Sequence, residues 1–251
     1  MLAVYLDAST QKTKTDPNQQ AICVAGCLAS VEIWNQFERD LKEVLDRNGL
    51  QSFHMTDCEA YGGEYLGWSK NRHDQFMKDV LAIINARVSY SVASAVAIET
   101  YSRCQGSNSQ LNGVSAFTFC ALQCLQAIAA RQDELNEGDR IHYLFESGDR
   151  KGAELSQLFG QINAEPWRRD RYRVDDLTNG WSFVTKKEKH ALASCDFCAY
   201  EGAKEMVNYH LPGRRLRPPR RSALEFLLRS KVDFRRHSEE GLNNLQVVKP
   251  Q

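Results

Sequence analysis

Apolar and polar positions alternate with a period of two at the start of the chain. Leu2, Val4 and Leu6 fall on one face and Ala3, Tyr5 and Asp7 on the other, which predicts a strand over Met1 to Leu6 that Asp7 closes. A polar, turn-rich stretch from Ser9 to Gln20, containing Asp16-Pro17-Asn18, separates it from a second apolar run, Ala21 to Ala29. The two runs read as a long hairpin. The period then changes. Behind Ser30, a suitable N-cap, Ile33, Trp34, Phe37, Leu41, Val44 and Leu45 recur at helical spacing, with Trp34 and Phe37 read as core. Asn48-Gly49 closes this helix after about Arg47.

The short segment Phe53-His54-Met55-Thr56-Asp57 leads into a loop at Tyr61-Gly62-Gly63. A helix is predicted from about Asn71 to Ala86, then a strand from Val88 to Ile98, then an exposed polar loop from Tyr101 to Gly113. Val114 to Arg131 is strongly helical in pattern. Ile141 to Phe145 reads as a strand closed by Glu146, followed by the turn Ser147-Gly148-Asp149 and a helix from about Lys151 to Ile162. Trp181 to Val184 is a short strand and Ala191 to Tyr209 the last clear helix. From Leu211 to Arg221 the chain turns to Pro, Gly and Arg, and beyond Ser222 a short helix and a polar tail are expected. Strands mixed with helices, opening on a hairpin, argue an α/β sheet domain with helices on its faces.

Composition narrows the function classes. The 32 basic and 32 acidic side chains cancel, so attraction to phosphate has to come from local patches. No apolar run is long enough to span a membrane and no signal peptide is visible at the amino terminus, so a cytoplasmic, non-membrane protein is expected. The eight cysteines sit within apolar periods, as buried thiols of a reducing compartment do. Cys195-Asp-Phe-Cys198 has the spacing of a zinc or redox pair, but no second pair of ligands follows it.

Three carboxylates stand where a solvated surface explains them badly. Asp7 and Glu146 each end a strand, and Asp196 shares the apolar stripe of its helix with Leu192, Ala199 and Ala203. Caps, turn acids and partners of a buried arginine are the ordinary uses of such residues. Their joint placement suggests another. Sites of α/β sheets form beyond strand ends, where a helix terminus can converge on them. Clustered carboxylates repel unless a cation joins them, and oxygen-only ligands suit Mg²⁺ or Mn²⁺. Two such ions about 3.5–4 Å apart promote phosphodiester hydrolysis, and carboxylates more than about 8 Å apart could not share them.

These segments resemble, in order, a widespread set of uncharacterised, mainly microbial proteins catalogued as domain-of-unknown-function family 3800. The opening strand ending in Asp7-Ala8-Ser9 resembles that family's Asp-Glu-Ser-Gly start, and Phe53 to Asp57 its Phe-His-Ala-Thr-Asp-like segment. Phe145 to Asp149 resembles its mid-chain strand-end Glu, and Leu192 to Tyr200 its Leu-Gln-Leu-Ala-Asp-Leu-Ile-Ala-Tyr helix. The resemblance spans about residues 1–205. It implies a ribonuclease H-like mixed sheet flanked by helices over 1–210, with helices inserted at about 53–135 and a basic extension over 211–251 on or beside the same domain. It also implies that Asp7, Glu146 and Asp196 bind metal, with His54 near enough to steer a proton or contact phosphate. Asp57 lies near the site in the same reading, and Glu59, Asp149 and Lys186 are possible accessory groups. Ala8 stands where the family commonly has Glu, Thr10 where it has Gly and Ala193 where it has Gln. The Ala8 departure leaves a weakened or inactive site open.

Two basic stretches are suited to a phosphate backbone. Trp167 to Arg173 interleaves aromatics with Arg168, Arg169 and Arg171, while Arg214, Arg215, Arg217, Arg220 and Arg221 crowd around Pro218-Pro219. Lys186, Lys187 and Lys189 precede the Asp196 helix. The expectation is a Mg²⁺- or Mn²⁺-dependent nuclease acting on RNA or DNA. The alternative is a catalytically degenerate ribonuclease H-like module that binds nucleic acid or a protein.

Overall fold

The computed structural model describes residues 1–13, 16, 18–135, 138–147, 152–175, 180–210 and 232–245. β1 (Leu2–Lys12) and β2 (Gln20–Ser30) form the expected antiparallel hairpin, in register from Leu2↔Ser30 to Lys12↔Gln20. β1 is longer than its alternation predicts, because the partner strand carries Ser9, Thr10 and Gln11 into the ladder. Asp7 therefore lies inside β1 rather than at its end. On the other side of β1 the parallel ladder with β4 (Ile141–Glu146) ends at Leu6↔Phe145. Seen from β4, Asp7 and Glu146 are still the positions just past the pairing.

β3 (Tyr90–Ala97) is antiparallel to β2, and β5 (Trp181–Val184) is parallel to β4. Where a polar tail was expected, β6 (Val232–His237) adds in parallel to the free edge of β3. Its short alternation, Val232 and Phe234 against charged neighbours, hides it in the sequence, and charge is what an edge strand carries to avoid pairing further. The sheet runs β5-β4-β1-β2-β3-β6.

Helices cover both faces, and residue size decides which. One face of β2 presents Ala21, Cys23, Ala25, Cys27 and Ala29, and β3 adds Ala93, Ala95 and Ala97. The small side chains let α8 (Leu192–Glu205) settle deeply against the sheet, with α1 (Val31–Asn48), α2 (Met55–Ala60) and α3 (Lys70–Arg87) completing that core. At Gly202 an added Cβ would stand 2.6 Å from Cys23 Sγ and 3.1 Å from Phe234 Cε2, so the approach depends on glycine there. The opposite face is built from Val4, Leu6, Ile22, Val24 and Leu28. It is covered by α4 (Ile98–Ser107), α5 (Ala116–Glu134), α6 (Gly152–Ala164) and the short α9 (Glu239–Asn243). α4 replaces much of the exposed loop expected over Tyr101 to Gly113. Tyr101 and Cys104, one helical turn apart, are buried, and the Tyr101 hydroxyl donates to Val114 O at 2.9 Å.

α1 follows its sequence signals closely. Ser30 accepts from Ile33 N–H, Gly49 adopts the left-handed conformation at its end, and Trp34 Nε1 donates to Ala3 O at 2.9 Å, pinning the helix to β1. α8 passes directly into a π-helical turn, Met206–His210, so the helical stretch reaches the expected Tyr209 but its last turn is wider than an α-helix. No helix among the described residues is long and apolar enough to cross a membrane.

Candidate functional site

Strand parity aims Asp7 and Glu146 at the same side of the sheet. Ala3 and Tyr5 on β1, and Leu144 on β4, belong to the core under α8, so Asp7 and Glu146, at the same parity, face that way too. Asp196 reaches the same point from the first turns of α8. It does so from a helix buried almost all round, not from a one-sided apolar stripe. The start of α8 has no side-chain cap of its own. Glu38, projecting from α1, accepts from His190 and Ala191 N–H at 2.9 and 3.0 Å instead. Nothing in the sequence singled out Glu38, since its role is set by a helix packed from elsewhere in the chain.

At the meeting point stands an ammonium. Lys186 Nζ lies 3.1 Å from Asp7 Oδ2, 3.3 Å from Glu146 Oε1 and 3.0 Å from Asp196 Oδ2. One nitrogen touches all three acids, so the carboxylates are close enough to share a pair of metal ions at the usual spacing. The turn Thr185 to Lys189 carries this lysine. Glu188 accepts from Thr185 N–H and Oγ1 at 2.8 Å each, while Glu188 N–H donates back to Thr185 Oγ1 at 3.2 Å. Asp196 also accepts from Met55 N–H at 2.9 Å, and Ala8 N–H donates to Asp7 Oδ1 at 2.6 Å. His54, immediately before α2, completes the rim with Nδ1 3.4 Å from Lys186 Nζ.

The electrostatics follow from burial. The side chains of Asp7, Asp196 and Lys186 are 4%, 9% and 8% exposed, whereas Glu146 is 27% exposed and marks the open side. Burial pushes the Asp7 carboxyl up to about 7; the Lys186 charge opposes that rise and the neighbouring Glu146 adds to it. Asp196 is raised by the same burial, with Lys186 opposing and Asp7 adding. For Lys186 burial alone would lower the pKa, but Asp196, Asp7 and Glu146 together hold it above its ordinary value. The ammonium is thus firmly charged.

The remaining sequence candidates separate. Ala8 lies at the opposite parity and packs into the other core. A carboxylate there would enter a cleft between Phe117 and Leu155 that Asp7 and Glu146 also line. Asp57 is exposed on α2, with its carboxylate beside Gly63, and Glu59 faces His73 at 3.9 Å. Asp149, Arg214, Arg215, Arg217, Arg220 and Arg221 lie outside the described residues. Lys187 is exposed and Lys189 half-buried on the same turn as Lys186.

Arg168, Arg169 and Arg171 fall on α7 (Pro166–Arg171). Arg168 pairs with Glu165 at 3.4 Å and covers the Trp167 ring, Arg169 donates to Asp175 O at 3.1 Å, and Arg171 lies over Tyr172. Val174, just beyond α7, bridges to Ile141 at the start of β4. Five residues of strand, about 16 Å, separate that point from Glu146. The arginines and the acids belong to opposite ends of β4.

All eight cysteines are free and buried. Cys195 and Cys198 turn inward, within hydrogen-bond reach of Cys27 on β2.

No family model, curated protein or solved structure matches this chain. Among the described residues no group of three or more His, Cys, Asp or Glu side chains is arranged ready for a metal ion. The three acids are arranged around the lysine instead. Their chemistry nevertheless fits a hard divalent cation. The donors are oxygens, an ammonium stands in for a cation at their centre, and Asp7 Oδ2 is buried with no hydrogen-bond partner, reached by Lys186 only as an ion pair.

Proposed function

We propose that the chain is a ribonuclease H-like, divalent-metal-dependent phosphodiesterase acting on RNA or DNA. The observation that carries this is the convergence of Asp7, Glu146 and Asp196, from three distant segments, on one cation position. The sheet supports the fold part of the reading: a hairpin strand, β1, carries the first acid and pairs in parallel with the strand carrying the second, and the third comes from a helix over the same face. When bound, Mg²⁺ or Mn²⁺ would supply Lewis acidity and an activated water. Asp7 and Asp196 would hold it from the buried side and Glu146 from the open side. His54 at the rim would hold or pass a proton. Lys187 and Lys189, on the same turn as Lys186, would meet a phosphate backbone there.

A second reading rests on Lys186. An ammonium that already bridges three acids favours a non-catalytic module in which the lysine is a permanent counterion. Incubating labelled single- and double-stranded RNA and DNA with Mn²⁺ decides between them. Wild type is expected to cleave at least one substrate, with Asp7→Asn and Asp196→Asn each slower by about 100-fold or more. Absence of cleavage of all four substrates by wild type would sink the enzyme reading.

A further inference from the structure

Lys186 is more than a neighbour of the acids. It offers one charge to three carboxylates and leaves Asp7 Oδ2 without an aligned hydrogen bond, so the pocket holds more oxygen than an ammonium can use. A divalent cation, with twice the charge and about six oxygen ligands, fits the same surplus better. The two cations cannot share one position. Nor is there a second buried place for the ammonium among the acids, because Asp7 and Asp196 are closed off and only Glu146 opens to solvent.

The lysine also has a way out. Its turn is held by Thr185 and Glu188, both exposed, and those bonds involve neither the Lys186 side chain nor the acids. The four-carbon stem can swing past Glu146 while the backbone stays where it is. At the rim it would join Lys187.

Resting on the metal-dependent reading above, we infer that Lys186 is a tethered competitor of the metal. In the metal-free protein it fills the cation position and keeps the acids together; on loading it leaves through the Glu146 side and becomes solvent-accessible. Lys186 is a positioning residue for the metal, and it makes the site's affinity the outcome of a competition.

Two measurements with Mn²⁺ alone test this without any substrate. By titration calorimetry, Lys186→Met is expected to bind Mn²⁺ about tenfold or more tightly than wild type, because no ammonium has to be expelled. In wild type, initial rates of lysine acylation followed by mass spectrometry are expected to be negligible at Lys186 without metal. They should rise toward that of Lys187 at saturating Mn²⁺. If Mn²⁺ binds wild type but Lys186 stays unreactive, or if Lys186→Met binds no more tightly, the competition is disproved and the metal reading survives. If neither protein binds Mn²⁺, the metal reading falls and this inference with it. Should Lys186→Met fail to fold without metal, acylation of wild type decides alone.

Discussion

The acid pocket at the carboxyl end of β4 and the arginine helix α7 at its other end are both charged clusters, built on opposite principles. In the pocket, three carboxylates surround one shared ammonium, and of the four groups only Glu146 has access to water. On α7, each arginine is at least partly solvated and finds its own local partner: Glu165, a backbone carbonyl, or an aromatic ring. The first arrangement is coupled and costly to break. The second is a set of nearly independent contacts.

The sharpest way to break this comparison is to remove the shared ammonium. Lys186→Met without divalent metal should lose about 3–5 kcal/mol of stability in urea unfolding, because Asp7 and Asp196 are left buried beside Glu146 without a counterion. The loss should shrink in mild acid, where the carboxyls can take up protons. A loss below about 1 kcal/mol would show that the acids are independently solvated, as α7 is.

The next effect comes from Asp7, whose folded pKa of about 7 lies above that of the unfolded chain. Between about pH 4 and that value the folded state keeps a proton that the unfolded state has lost, so this group makes stability fall as pH rises. Relative to Asp7→Asn, wild type should therefore gain stability on acidification across this window, by up to about 4 kcal/mol. Thermal unfolding of both proteins along a pH series measures it. The opposite slope would mean that Asp7 is fully ionised throughout.

Smaller effects sharpen the comparison at the surface. Lys187→Ala and Lys189→Ala should weaken nucleic-acid affinity a few-fold each, with a shallower salt dependence in filter binding. Arg171→Ala should change stability by no more than about 0.5 kcal/mol and leave cleavage unaltered. An Arg171 variant that cleaved far more slowly would place α7 on the substrate path and join it functionally to the acid pocket.

The periodic elements were legible because each reports its own burial. The hairpin, α1 with its Ser30 cap and Gly49 ending, and α5 follow directly from spacing. α4 was hidden by the polar residues around Tyr101 and Cys104, and β6 by its charge, since both are held mainly by what they pack against. At the site, the three acids were legible as residues out of place. The central role of Lys186 was not: among Lys186, Lys187 and Lys189 the sequence alone shows only neighbouring cations, and the turn decides which one points inward. Nor does the sequence show that Ala8 sits at the opposite strand parity from Asp7, beside Phe117 and Leu155.

By itself, the sequence determined the α/β alternation, the small-residue face of β2 that lets α8 lie close, and the odd positions of Asp7, Glu146 and Asp196. These are local properties, written in period, size and polarity. Only the tertiary structure decided that the acids meet, that Lys186 rather than Lys187 or Lys189 meets them, and that the α7 arginines stand apart. Those outcomes depend on strand order and helix docking, which join segments far apart along the chain and leave no trace in their spacing.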